Sequence, residues 1–186
     1  VSGHGDGVVE QLYDQAKAGE WDAVLIRFGA DPTSAARCSR FVKPTSGWTF
    51  LHQAAYAGHS PAARALIGLG AAVDAAAASG ETPNGVARRR GHVGVMRLID
   101  DAAARGAGLW APSPDQTLMP ASSAWQQAQR RRALLTRRVA YGGGAVEIPA
   151  GATYFVDDYE RTLIGWHGTY DPPSGMDGES LVALRE

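Results

Sequence analysis

The side chains best suited to chemistry cluster in a few stretches of this chain. Near the C-terminal end, Trp166-His167-Gly168-Thr169-Tyr170-Asp171 is followed by Asp177-Gly178-Glu179. One imidazole with several carboxylates in turn-rich sequence could do general acid–base work or hold a divalent cation. His167, Asp171, Asp177 and Glu179 are therefore the candidates for a hydrolase or a metal-dependent activity. The simpler account is a turn-rich closure in which the aromatics pack and the acids stay in water. Cys38 is the lone thiol and sits in Ser34–Pro44, which carries three bases and no acid. Such surroundings could lower a thiol pKa, but no evident base accompanies it. His52 and His59 are possible ligands, yet a metal site needs several converging groups. Arg130-Arg131-Arg132 and Arg137-Arg138, with Trp125 nearby, could grip phosphates of a nucleic acid. Against that, the aromatics do not interleave with the bases and the formal net charge is only -1. No Gly-rich phosphate loop, Gly-x-Ser-x-Gly elbow or His-Glu-x-x-His motif occurs. No metal site, cofactor or catalytic residue is expected, and a binding protein is favoured over an enzyme.

The composition sets the frame for these residues. The 186 residues are 45% hydrophobic and 20% charged, ordinary for a globular protein of one or two domains. A single cysteine excludes an internal disulfide framework and a cysteine-based zinc cluster. That fits a reducing compartment, so a cytoplasmic location is expected. No apolar run is long enough to span a bilayer. Residues 1–7 are polar and Gly-rich and are expected to be a disordered lead.

The elements that must position any site follow a period. Counting forward by 33 from Gly47, Thr49, Gly58 and His59 gives Gly80, Thr82, Gly91 and His92. A repeat of that length marks stacked helix–turn–helix units joined by finger loops. Thr49-Phe50-Leu51-His52 and Thr82-Pro83 open two such units, and Gly70-Ala71-Ala72-Val73-Asp74 leads from one to the next. On these residues the stretch resembles the ankyrin repeat family. The resemblance extends in shortened form to residues 8–28, where Val8, Leu12 and Ala16 form one helical stripe and Trp21, Val24, Leu25 and Phe28 a second. Gly29-Ala30-Asp31 closes that unit. Residues 34–44 exceed what a finger needs and are expected to be an inserted loop. Asn84 and Gly85 depart from the family, which has Leu and His there. The resemblance implies that His52 and His59 bond backbone across turns.

Beyond residue 106 the character changes. Residues 107–120, with Gly108, Pro112, Pro114 and Pro120, are expected to be a linker or strap, with Leu109-Trp110 as its anchor. Ser123 and Gln126 have capping-box form, and Ala121, Ala124, Trp125, Ala128 and Leu135 share a helical face, so 122–136 is expected to be a helix. Short strands follow at 139–141, 145–148, 152–156 and 162–166, with 153–166 the clearest hairpin.

The expected fold is an α-helical ankyrin-like solenoid of about three repeats over 8–106, a strap over 107–120, and a small α+β module with antiparallel strands over 121–186. The resemblance implies a non-enzymatic adaptor that binds another protein through finger loops and inner helices. In the family register the variable contact positions are Thr45, Ser46, Trp48, Tyr56, Ala57, Ser79, Glu81, Arg89 and Arg90. Trp48, Tyr56 and Arg89 are the expected anchors, because these residue types carry disproportionate binding energy.

Overall fold

Threonine side chains and left-handed glycines set the helix boundaries in the N-terminal part of this protein. Thr49 Oγ1 accepts from the His52 N–H at 3.3 Å and opens a helix that stops at Gly58, φ 69°. Thr82 Oγ1 accepts from the Gly85 N–H at 3.2 Å and opens one that stops at Gly91, φ 74°. The 33-residue period is thus a repetition of caps. A side-chain oxygen satisfies an orphan N–H at each start, and a residue without Cβ turns the chain at each stop. Gly47, φ 71°, repeats the logic in the finger, where a Cβ would lie 2.7 Å from the Ala78 nitrogen.

The computed structural model describes residues 3–104, 115, 117–141, 144–165, 168–174 and 180, with side chains from Gly7 onward. They form two compact units, Val1–Ala111 and Pro112–Glu186. The first contains α1 Gly3–Ala18, α2 Trp21–Ala30, α3 Pro32–Arg40, α4 Phe50–Ala57, α5 Ser60–Gly68, α6 Pro83–Arg90 and α7 Val93–Ala104. α4 packs between α1 and α6, and α5 between α2 and α7, which stacks the helix pairs into two layers. Ala54, Ala55, Ala62 and Ala63 are fully buried between them, so the backbones approach closely. Trp21, Phe50, Leu51, Leu66, Ile67, Val86 and Val95 fill the core. Burying each of these large side chains stabilises the unit by about 1.5–3 kcal/mol.

α1 runs from Gly3, anchored by the buried face of Val9, Leu12, Tyr13 and Ala16. One local expectation fails here. Residues 34–40 of the expected 34–44 loop are helical, and only 41–44 run outside the helix. Asp31 accepts from the Ser34 N–H at 3.1 Å, Pro32 occupies the first turn, and Ala35, Ala36, Cys38 and Ser39 are buried. Asp31-Pro32 is a strong helix start, and the short α3 gains its stability from burial rather than from length. Phe41, just beyond it, packs its ring 5.3 Å from Tyr13 and 6.1 Å from Phe50.

The second unit holds β1 Ala121–Ser122, β2 Gln129–Arg132, β3 Arg137–Tyr141, β4 Gly144–Ile148, β5 Thr153–Val156 and β6 Thr162–Leu163. β1-β6-β5-β2 form a four-stranded sheet, antiparallel except for the β1–β6 pair, and β3-β4 form a hairpin. The expected 153–166 hairpin is present as β5–β6, with Val156 opposite Thr162. Its turn is held by Asp157, whose Oδ1 accepts from the Tyr159 and Arg161 N–H groups at 2.9 and 3.1 Å. Asp157 also forms a buried ion pair with Arg161. Phe155 and Leu163 make a small core with Trp125, Ala124 and Ala128 against it.

The expected 122–136 helix does not form. Ser122 Oγ accepts from the Ala124 N–H at 3.3 Å, and only a single 3-10 turn follows at Trp125–Gln127. Such local bonding competes with helix propagation. Residues 129–132 then pair with 156–153, and their backbone groups are satisfied by the sheet. Leu135, expected on the buried face of that helix, is 47% exposed. Most of the 107–120 strap, including Leu109 and Trp110, lies outside the described residues; Met119, near its end, bridges Val139.

Candidate interaction surface

The finger between α3 and α4 is built by its own backbone. Val42 bridges Thr49 in antiparallel fashion, the Lys43 N–H donates to the Trp48 carbonyl at 2.8 Å, and the Gly47 N–H donates to the Lys43 carbonyl at 2.8 Å. This turn presents Thr45, Ser46 and Trp48 beside α4 and α1. Together they line a groove of about 520 Å³ with Tyr13, Asp14 and Lys17 of α1, Lys43 of the finger, and Gln53 and Tyr56 of α4. That size suits one or two side chains of a bound segment.

The groove's floor is fixed by buried polar contacts. Gln53 Nε2 donates to the Tyr13 hydroxyl at 2.8 Å, and burial is the main influence raising the Tyr13 pKa. Trp48 is half-buried, with its ring 5.4 Å from the His52 ring and 6.1 Å from that of Tyr56. Tyr56 is 42% exposed, and the Arg90 guanidinium lies 4.2 Å from its ring centroid. Trp48, Tyr56 and Arg90 therefore form a continuous ladder from the finger across α4 to the end of α6. Cation–π stacking of this kind holds a guanidinium in place without using its N–H donors.

The histidines fix this frame. The Thr49 N–H donates to His52 Nδ1 at 3.1 Å, which leaves the proton on Nε2, and Nε2 donates to the Glu81 carbonyl at 3.0 Å in the next finger. Burial holds the His52 pKa below its ordinary value, so the ring is neutral. His59 Nδ1 accepts from the Ala62 N–H at 3.1 Å and caps α5, and His92 Nε2 donates to the Tyr56 carbonyl at 3.2 Å. A Cβ on Gly58 would sit 2.6 Å from the His92 ring, so that glycine makes room for the bond that steadies Tyr56.

The expected contact residues do not all meet. Thr45, Ser46, Trp48 and Tyr56 share the groove, and Arg90 joins through Tyr56. Arg89 and Glu81 form a bidentate pair at 2.8 and 3.0 Å on the second finger, beside Ser79, whose Oγ accepts from the Glu81 N–H at 3.4 Å. Ala57 is exposed beside Tyr56. The α1 contribution was missed: Tyr13 and Lys17 stand four apart on the helix, a spacing that puts them on one face and was there to be read.

The other chemical candidates disperse. Cys38 is fully buried on α3, and burial pushes its pKa up to about 12, outweighing the lowering influence of Arg37. Asp171 is exposed, while His167, Asp177 and Glu179 lie outside the described residues. Among the described residues no group of three or more His, Cys, Asp or Glu could hold a metal ion, and no helix is long and apolar enough to cross a membrane. The arginine run lies on strands instead of a helix. Arg131 pairs with Glu160 at 3.2 Å through Nε, and Arg137 lies 5.0 Å over the Tyr154 ring.

Stacked helix pairs with finger loops and histidine-capped turns define a helical-repeat class of protein. Residues 46–78 match the ankyrin repeat family model, and the helical unit around them has ankyrin-like architecture. Ankyrin repeats generally mediate protein–protein interaction. No curated protein matches the chain.

Proposed function

We propose that this protein is a non-enzymatic adaptor that binds another protein through its finger loops and inner helices, with Thr45, Ser46, Trp48, Tyr56, Ser79, Glu81, Arg89 and Arg90 as the contact set. The observation that carries the reading is the groove in which half-buried Trp48 and exposed Tyr56 are held in ring contact beneath Arg90. An aromatic pair and an arginine on a preformed scaffold match the composition of binding hot spots. On this reading the repeats over 8–106 recognise the partner, and the 121–186 module, joined by the 107–120 strap, is a second, separately folded part. A cytoplasmic location goes with a chain whose one cysteine stays a buried thiol.

The test is quantitative affinity capture by the wild-type chain against Trp48→Ala, Tyr56→Ala and Arg89→Ala variants whose circular dichroism is unchanged. A hot-spot truncation costs about 2 kcal/mol or more, roughly a thirtyfold loss of affinity. Partners held by this surface drop out of the Trp48→Ala and Tyr56→Ala captures. Unchanged recovery of every partner by all three variants refutes the assignment.

A further inference from the structure

We propose that the groove between α1 and α4 takes an acidic peptide segment of the partner, with a carboxylate next to an apolar or aromatic side chain. This rests on the interaction reading above and names the chemistry of its ligand. The rim carries both signs of charge, but they are not equally committed. Of the lining bases, Lys43 lies 3.8 Å from Glu10, outside the groove, while Lys17 has no ion pair among the described residues. The lining acid is Asp14, three positions before Lys17 on α1, and Arg90, beyond the lining, reaches the groove through the Tyr56 ring; Glu81, on the next finger, is held by both bonds of Arg89. The chain as a whole has a formal net charge of -1, so the unspent positive charge at this groove is local.

Arg90 is the directional element. Tyr56 covers one face of its guanidinium, and among the described residues no hydrogen bond or ion pair takes up its N–H groups. A planar fork of donors held by stacking and otherwise unspent matches a carboxylate in bidentate geometry. Lys17 is exposed in the last turn of α1 and supplies a second, less directional charge. Tyr13, Trp48 and Tyr56 between them offer an apolar wall for the neighbouring side chain. A basic segment would meet Lys17 and Arg90, and like charges across an interface suppress binding.

The experiment is selection of a displayed random-peptide library on the full chain, followed by fluorescence anisotropy with the synthetic winners. Winners are expected to pair Asp or Glu with Trp, Phe or Leu, and to weaken as salt rises. Arg90→Gln is expected to weaken them about tenfold and Lys17→Gln about threefold. Replacing the peptide's acid by its amide should remove the effect of Arg90→Gln, since the two changes delete one interaction. Neutral or basic winners that are lost on Trp48→Ala overturn the acidic specificity while leaving the interaction surface standing. Winners indifferent to Trp48→Ala and Tyr56→Ala, or no winners at all, overturn the surface itself. A single-stranded oligonucleotide bound more tightly than any winner through the same residues overturns the peptide in favour of a nucleic acid.

Discussion

Replacing His52 by alanine tests how the repeats are joined. The imidazole is fully buried and makes bonds at both ring nitrogens. Its loss strands the Thr49 N–H, on a residue 5% exposed, and an unsatisfied buried donor costs about 1–3 kcal/mol. The bond from Nε2 to the Glu81 carbonyl contributes about 1 kcal/mol more, and the vacated space adds to that. A destabilisation of about 3 kcal/mol follows, a large share of the ~5–15 kcal/mol typical of a folded domain. Thr49→Ala keeps the imidazole but removes the cap on the His52 N–H and the 2.9 Å contact of the hydroxyl with His52 Nδ1, and should cost about 1 kcal/mol. Urea unfolding at pH 7.5, followed by far-UV circular dichroism, measures both. A loss below about 1 kcal/mol for His52→Ala would refute the view that this histidine couples one unit to the next. The same residue sets a pH dependence. Its folded pKa lies below the ordinary value of about 6.5, chiefly through burial, so the unfolded chain binds more protons below that pH. The stability from keeping it neutral is complete above about pH 6.5 and is lost as pH falls towards the folded pKa. The wild-type minus His52→Ala difference in stability should therefore shrink on acidification from about pH 7 to 5; an unchanged difference would contradict the burial argument.

Two further predictions rest on single residues. With its pKa near 12, Cys38 should resist a thiol reagent at pH 8 in the folded protein and react promptly in urea; equal rates would show that α3 opens readily. Gly85 sits in the first turn of α6, where an added Cβ meets nothing nearer than 3.5 Å, so Gly85→Ala should stabilise the protein by about 0.5 kcal/mol and raise Tm; a fall in Tm would mean that the turn needs glycine.

What the residues announced and what they concealed divide along a physical line. Thr49, Gly58, Thr82 and Gly91 act through bonds to backbone a few positions away, so their meaning is local and their spacing exposes the repeat. The β5–β6 hairpin was legible for the same reason, since Asp157 organises its turn from within. Asp31-Pro32 was an equally local helix start that the basic, non-periodic 34–44 stretch obscured. The 122–136 segment was a different case. Its apolar spacing fits a helix, but pairing of 129–132 with β5, distant in sequence, outweighs that preference. Of the groove, Trp48 and Tyr56 stood out as residue types at exposed register positions. Tyr13 and Lys17 share a helix face by their spacing, but only packing of α1 against α4 brings that face opposite the finger that carries Lys43. The sequence by itself determined the caps, the turns and the repeat period, since these depend on neighbours along the chain. Tertiary structure alone decided the state of Cys38, the strand fate of the arginine run and the charge balance of the groove, because burial, sheet pairing and ion pairing depend on residues that sequence order does not place together.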